Sequence, residues 1–109
     1  MSKFLVKVGR NYHFFDKGEI DWIESDGNYL KLFIGEKSYI LRMTLKAVEE
    51  KLNTSFFMRI NRSTIINTNR IKQLQDINKS EFTVVLDNNQ TLKWARHYKK
   101  NLSRFLRLN

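Results

Sequence analysis

Cysteine and proline are both absent from this 109-residue chain, and glycine occurs only four times. Without thiols, disulfides and thiolate metal sites are excluded, which fits a reducing compartment. A packed core must then hold the fold alone, and a chain of this size buries roughly 60–70% of its unfolded surface, enough for that. A single domain over residues 1–109 is expected. With no proline and so little glycine, no linker or low-complexity tract stands out, and no repeat of fixed period is found. No apolar run approaches the ~18 residues needed to cross a bilayer. The start, Met1-Ser2-Lys3-Phe4-Leu5-Val6-Lys7, lacks the apolar core of a signal peptide. The expectation is a soluble cytoplasmic protein without a membrane segment.

Acid is missing from two stretches. The net charge is +9. Residues 1–50 hold eight Lys/Arg and eight Asp/Glu, which cancel. Residues 51–75 hold Lys51, Arg59, Arg62, Arg70 and Lys72, and residues 88–109 hold Lys93, Arg96, Lys99, Lys100, Arg104 and Arg107, with no acid in either. A bias confined to two segments points to one basic face, for which nucleic-acid phosphate is the usual partner. A small nuclease would need acids or a histidine base beside that face. The acids lie elsewhere, so no enzyme is expected. The two histidines, His13 and His97, are far apart with no cysteine near them, which argues against a metal site. No cofactor is expected.

Along the chain, short apolar stretches alternate with turn signals about 8–12 residues apart, the pattern of a mainly β fold. Strands are read at 3–8, 12–15, 20–24, 29–34, 38–41, on both flanks of 59–63, and at 70–77, 82–86 and 91–94. The rings of Tyr12, His13, Phe14 and Phe15 are expected to cover one sheet face. Ile20, Trp22 or Ile23 should point inward, as should Ile71 with Leu74 or Ile77. Phe14, Phe33, Phe57, Phe82, Trp22 and Trp94 fall where core is expected. Thr44 can cap a helix whose Leu45, Val48 and Leu52 share a face, with Asn53 ending it in the left-handed region. Arg96 to Leu106 reads as a second helix with Tyr98, Leu102, Phe105 and Leu106 as its apolar stripe.

The chain turns on Phe56-Phe57-Met58-Arg59-Ile60-Asn61-Arg62-Ser63-Thr64-Ile65-Ile66-Asn67, where apolar flanks hold a polar, cationic interruption. That stretch resembles the central motif of the LytTR-type DNA-binding domains of bacterial transcription regulators. The likeness extends from Ile20 to Tyr29, through Met43-Thr44-Leu45, to Leu92–Lys100. It implies about ten short strands in small packed antiparallel sheets, with one central and one C-terminal short helix, in a single LytTR-like domain. It implies duplex DNA as partner, loops rather than a recognition helix in successive major grooves, and occupation of paired direct repeats, as a dimer on DNA. It further implies an N-terminal receiver domain in a longer parent. The DNA-binding residues it carries over are Asn28 and Tyr29 in the first loop, Arg59, Asn61, Arg62 and Ser63 in the second, and Arg96 with Lys93, His97, Lys99 and Lys100 in the third. The chain departs from the family's usual pattern at Asn61 (usually His), Ala95 (usually Ser, so one phosphate contact is lost) and His97 (often Arg).

Arg62 and Arg96 are the expected base readers, because the guanidinium fork matches guanine O6 and N7. A phosphate contact or an internal ion pair is the competing role. Arg59 alternates with Met58 and Ile60, which places it on a solvent face, suited to phosphate. Asn61 could read adenine or clamp a phosphate, while Asn67 reads as structural. The alternatives to duplex binding are an RNA- or single-strand-binding β-domain, which would use exposed aromatics, and a basic protein-interaction module.

Overall fold

The computed structural model describes residues 3–109. Met1 and Ser2, which open the segment read as lacking a signal-peptide core, lie outside them. Among the described residues there are ten strands, all paired antiparallel in three sheets. Strands β1 (Lys3–Val8) and β2 (Asn11–Asp16) form a hairpin. The five-stranded sheet runs β5-β4-β3-β7-β6, with β3 (Trp22–Asp26), β4 (Tyr29–Ile34), β5 (Lys37–Leu41), β6 (Phe57–Asn61) and β7 (Thr64–Asn67). The third sheet runs β10-β9-β8, with β8 (Ile71–Asp76), β9 (Phe82–Leu86) and β10 (Thr91–Trp94). Helix α1 (Leu45–Leu52) follows β5, and α2 (Lys99–Leu108) ends the chain.

Strand β7 and the start of β3 are buried on both faces. Successive side chains on a strand point to opposite sides, so Ile23 and Ile65 join one core while Trp22 and Ile66 join another. This explains the unbroken apolar pairs Trp22-Ile23 and Ile65-Ile66, which alternation alone would not place. The first core is closed by Leu45, Val48 and Leu52 of α1 and by Phe4, Val6 and Phe15 of the first hairpin. The second is closed by Val84, Leu86, Trp94 and Leu102. Ile20, Trp22 and Ile23 are all buried.

Helix α1 forms as its sequence dictates. The Thr44 hydroxyl accepts the Ala47 N–H at 3.1 Å, and Asn53 takes the left-handed conformation at φ 40°, ψ 52°. Unforeseen in the sequence, Lys17 is buried and its Nζ donates to the Leu52 carbonyl at 2.6 Å. A cation there meets the negative end of the helix. Asn67 is structural as expected: fully buried, it donates to the Ile20 carbonyl at 3.0 Å and accepts the Asn69 N–H at 2.9 Å.

Four expectations are corrected. The rings of β2 do not share one face, because strand geometry forbids it. His13 and Phe15 turn inward against Tyr39, while Tyr12 and Phe14 point out. Phe14, read as core, is 66% exposed on the outer side of a hairpin whose inner side covers the core. On β8, by contrast, the expected inward pair is found as Ile71 with Leu74, a bulge at Lys72 putting both on the same side, while the alternative Ile77, beyond the strand, is exposed. The last helix does not run unbroken from Arg96. A 3-10 turn, Arg96–Tyr98, precedes α2, and the carbonyl of Tyr98, the residue that caps α2, accepts the Trp94 indole N–H at 3.0 Å. Leu102 and Phe105 then face Trp94, and Leu106, about 100° further round the helix, is exposed.

Candidate nucleic-acid interface

The turn joining β6 to β7 contains two residues, Arg62 and Ser63, between the paired Asn61 and Thr64. Two-residue hairpins usually need positive φ at the turn to match strand twist. Neither Arg62 nor Ser63 has it. Two devices replace it. A bulge at Ile60 takes up the register between Arg59 and Asn61, adding local twist. The Asn61 side chain then braces the turn: its Oδ1 accepts the Ser63 N–H at 2.9 Å and the Ser63 hydroxyl at 3.1 Å, an Asx-type arrangement. The first loop turns conventionally, with Gly27 at φ 63° between the paired Asp26 and Tyr29. Glycine, without a Cβ, adopts that angle at no steric cost.

Backbone hydrogen bonds stitch the three expected loops to each other. The Ser25 N–H donates to the Ser63 carbonyl at 2.8 Å, fastening the first loop to the second. The Ala95 N–H donates to the Ile60 carbonyl at 2.8 Å, at the residue the bulge removes from the strand ladder. Asn61 Nδ2 reaches the Lys93 carbonyl at 2.8 Å, and Asn101 Nδ2 reaches the Arg59 carbonyl at 2.8 Å. One edge of the molecule therefore presents residues 25–29, 61–63 and 93–100 together.

The expected cations divide sharply along this edge. Arg62, Arg96, His97, Lys99 and Lys100 are exposed, and among the described residues their side chains form no hydrogen bond or ion pair. Lys93 is exposed but paired with Glu81 at 2.9 Å, and that hydrogen bond holds the Glu81 carboxyl below its ordinary range. Asn28 is exposed at its turn, and the Tyr29 hydroxyl lies 3.4 Å from the Asp26 carboxylate.

Arg59 is not on a solvent face. Its Nε donates to the Asn61 carbonyl at 3.1 Å and its Nη2 to the Arg62 carbonyl. Its Nη1 lies 3.6 Å from the Glu49 carboxylate of α1, and its guanidinium lies 5.8 Å from the Tyr98 ring centroid. The alternation holds, since Met58 and Ile60 enter the same core, but the opposite side is covered by α1 and Tyr98 rather than open to solvent. Asn61 likewise uses both ends of its amide within the protein. Nor do the two acid-free stretches make one uniform face: Arg70 lies 2.9 Å from Asp21 and donates to the Gly18 carbonyl, while Lys72 bonds Asn89. Sequence reasoning missed Glu49, Glu81, Tyr98 and Asn101. Each acts on a residue distant in the chain, and no local pattern marks such pairings.

A family model described as the LytTr DNA-binding domain matches residues 10–107. Among curated proteins, the sensory transduction protein LytT of Bacillus subtilis (strain 168) is 26% identical over 106 residues, covering 97% of this chain and 44% of that protein. The LytT protein of Bacillus anthracis is 32% identical over 72 residues, covering 66% of this chain and 29% of the relative. The transcriptional regulatory protein LytR of Staphylococcus aureus (strain N315) is 27% identical over 96 residues, covering 88% and 39%. The chain thus spans less than half the length of these relatives. A solved LytTr DNA-binding domain from Bacillus cereus superposes with a TM-score of 0.83 at 21% identity, covering 97% of both chains. That likeness establishes the mainly β fold.

Proposed function

Because the chain belongs to the LytTr DNA-binding domain family, we infer that it is the sequence-specific, double-stranded DNA-binding output domain of a bacterial transcription regulator. The observation that carries this reading is the stitched edge, where Arg62 and Arg96 project unpaired from two segments joined by the Ala95–Ile60 hydrogen bond. In this reading the loops of that edge address neighbouring major grooves.

In this reading Arg62 and Arg96 contact guanine edges. Lys99 and Lys100 bind phosphate, with Ser63, His97, Asn28 and Tyr29 beside them, while Lys93 stands at the same edge held by Glu81. Arg59 and Asn61 shape the reading turn rather than touching DNA. The whole chain acts as one regulatory, non-catalytic domain in the cytoplasm, joined to a receiver domain in its parent protein, and two copies occupy paired direct repeats. The test is selection of bound duplexes from a random pool, followed by salt titration on the winner. A linear, steep fall of log K against log salt is expected, with single strands competing poorly. A flat salt response, or preference for single strands, overturns it.

Glu81 supplies a further prediction. Its carboxylate neutralises Lys93 beside the edge, and the lowered carboxyl pKa means the pair persists above the ordinary value of 4.5. It is lost only as pH falls through the depressed value. At pH 7, Glu81→Gln releases Lys93 to a phosphate. The expected outcome is tighter binding to all duplexes and a salt slope steeper by about 0.9. An unchanged slope would place Lys93 away from the backbone.

A further inference from the structure

We propose that the groove between β1 and the segment running from β5 into α1 binds a small amphiphilic anion, an apolar body bearing one carboxylate. The groove encloses about 650 Å³, within the ~300–1,000 Å³ of ligand pockets. Its walls are aliphatic, formed by Leu5, Val6 and Val8 on one side and Ile40 and Met43 on the other, with the Tyr12 ring at one end. Leu5 is 37% exposed and Ile40 47% exposed. Single exposed aliphatics are ordinary, but their convergence on one concavity marks a surface suited to an apolar partner.

The charge of the rim narrows the occupant. Lys7, Arg42 and Lys51 line the groove, and no Asp or Glu does. Among the described residues none of the three lies within 4.0 Å of a carboxylate, whereas Lys3, Lys31 and Lys93 each have an acid partner. Lys7 rests 5.8 Å from the Tyr12 ring centroid. An apolar wall excludes duplex DNA, which offers it no apolar surface, and the donor set holds no metal ligand. A carboxylate on an apolar chain satisfies both the rim and the walls. Volume favours a small molecule over a flat protein surface. The family match begins at residue 10, so the β1 wall lies outside it. Met43 also lines the cleft behind Asn28 and Tyr29, which puts an occupant one side chain from the first DNA-facing loop.

The test is methyl NMR of the full chain titrated with decanoate, and separately with 1-decanol, both below aggregation. Decanoate is expected to shift the methyls of Val6, Val8, Ile40 and Met43 saturably, with affinity about tenfold above that of decanol. The double variant Arg42→Gln/Lys51→Gln should lose that advantage while keeping decanol binding, which also shows that the groove remains folded. Equal binding of the two probes, an unaffected double variant, or shifts centred on Leu106 and Leu108 would overturn the proposal. Binding of an acidic peptide with no response to decanoate would overturn it in favour of a protein partner.

Discussion

Arg62→Ala should lower affinity for the selected duplex by about 5- to 150-fold, corresponding to the ~1–3 kcal/mol of a bidentate guanine contact. It should abolish preference at one base pair. The turn that carries Arg62 is fixed before DNA arrives: Asn61 braces it from within, and the Arg62 carbonyl is held by Arg59. The side chain itself is exposed and unpaired, so truncation removes no internal bond and should leave stability within experimental error. The loss therefore falls on recognition alone. Lys99→Ala serves as the contrast. A phosphate contact weakens all sequences alike and flattens the salt slope by about 0.9. Competition binding against single-base variants of the selected site separates the two. Uniform loss for Arg62→Ala across those variants would assign Arg62 to the backbone.

The positions of the strands and helices were largely legible because their signals are local. Thr44 and Asn53 bracket α1 through caps that act within one turn, and Asn67 bonds the chain as a short polar side chain in an apolar stretch can. The motif around Arg62 located the turn between β6 and β7. What was not legible depends on tertiary partners. Met58 and Ile60 face the same core, so Arg59 does lie on the other side of the strand, but that side is covered by Glu49 of α1 and the Tyr98 ring, and nothing in Met58-Arg59-Ile60 announces that cover. Phe14 looked like core because an aromatic run carries no label for which of its alternating members faces out. Lys17 reads as a turn residue, and its burial follows only from the proximity of the end of α1, 35 positions away. In the site, Arg62 and Arg96 are exposed as the sequence reading requires, whereas the pairing of Lys93 with Glu81 arises across the β9–β10 edge.

Arg59→Ala should act quite differently from Arg62→Ala, although both remove a guanidinium from the same hairpin. Arg59 ties together the two carbonyls of the reading turn, the Glu49 carboxylate and the Tyr98 ring. Truncation leaves the Asn61 and Arg62 carbonyls without their donor. Hydrogen bonds to charged groups contribute about 1.5–3 kcal/mol, so a stability loss of roughly that size is expected in denaturant titration. The Glu49 contact adds little, being long and partly solvated, and Glu49→Gln should be nearly silent. Binding should weaken by at least about tenfold on every duplex, since positioning both turn carbonyls governs where Arg62 points. The salt slope should stay constant, because no phosphate partner is lost. Arg59→Lys should not restore affinity, as an ammonium cannot hold two carbonyls in the geometry of the planar fork. A slope that falls by about 0.9 with stability unchanged would return Arg59 to the DNA backbone and leave Asn61 alone to shape the turn.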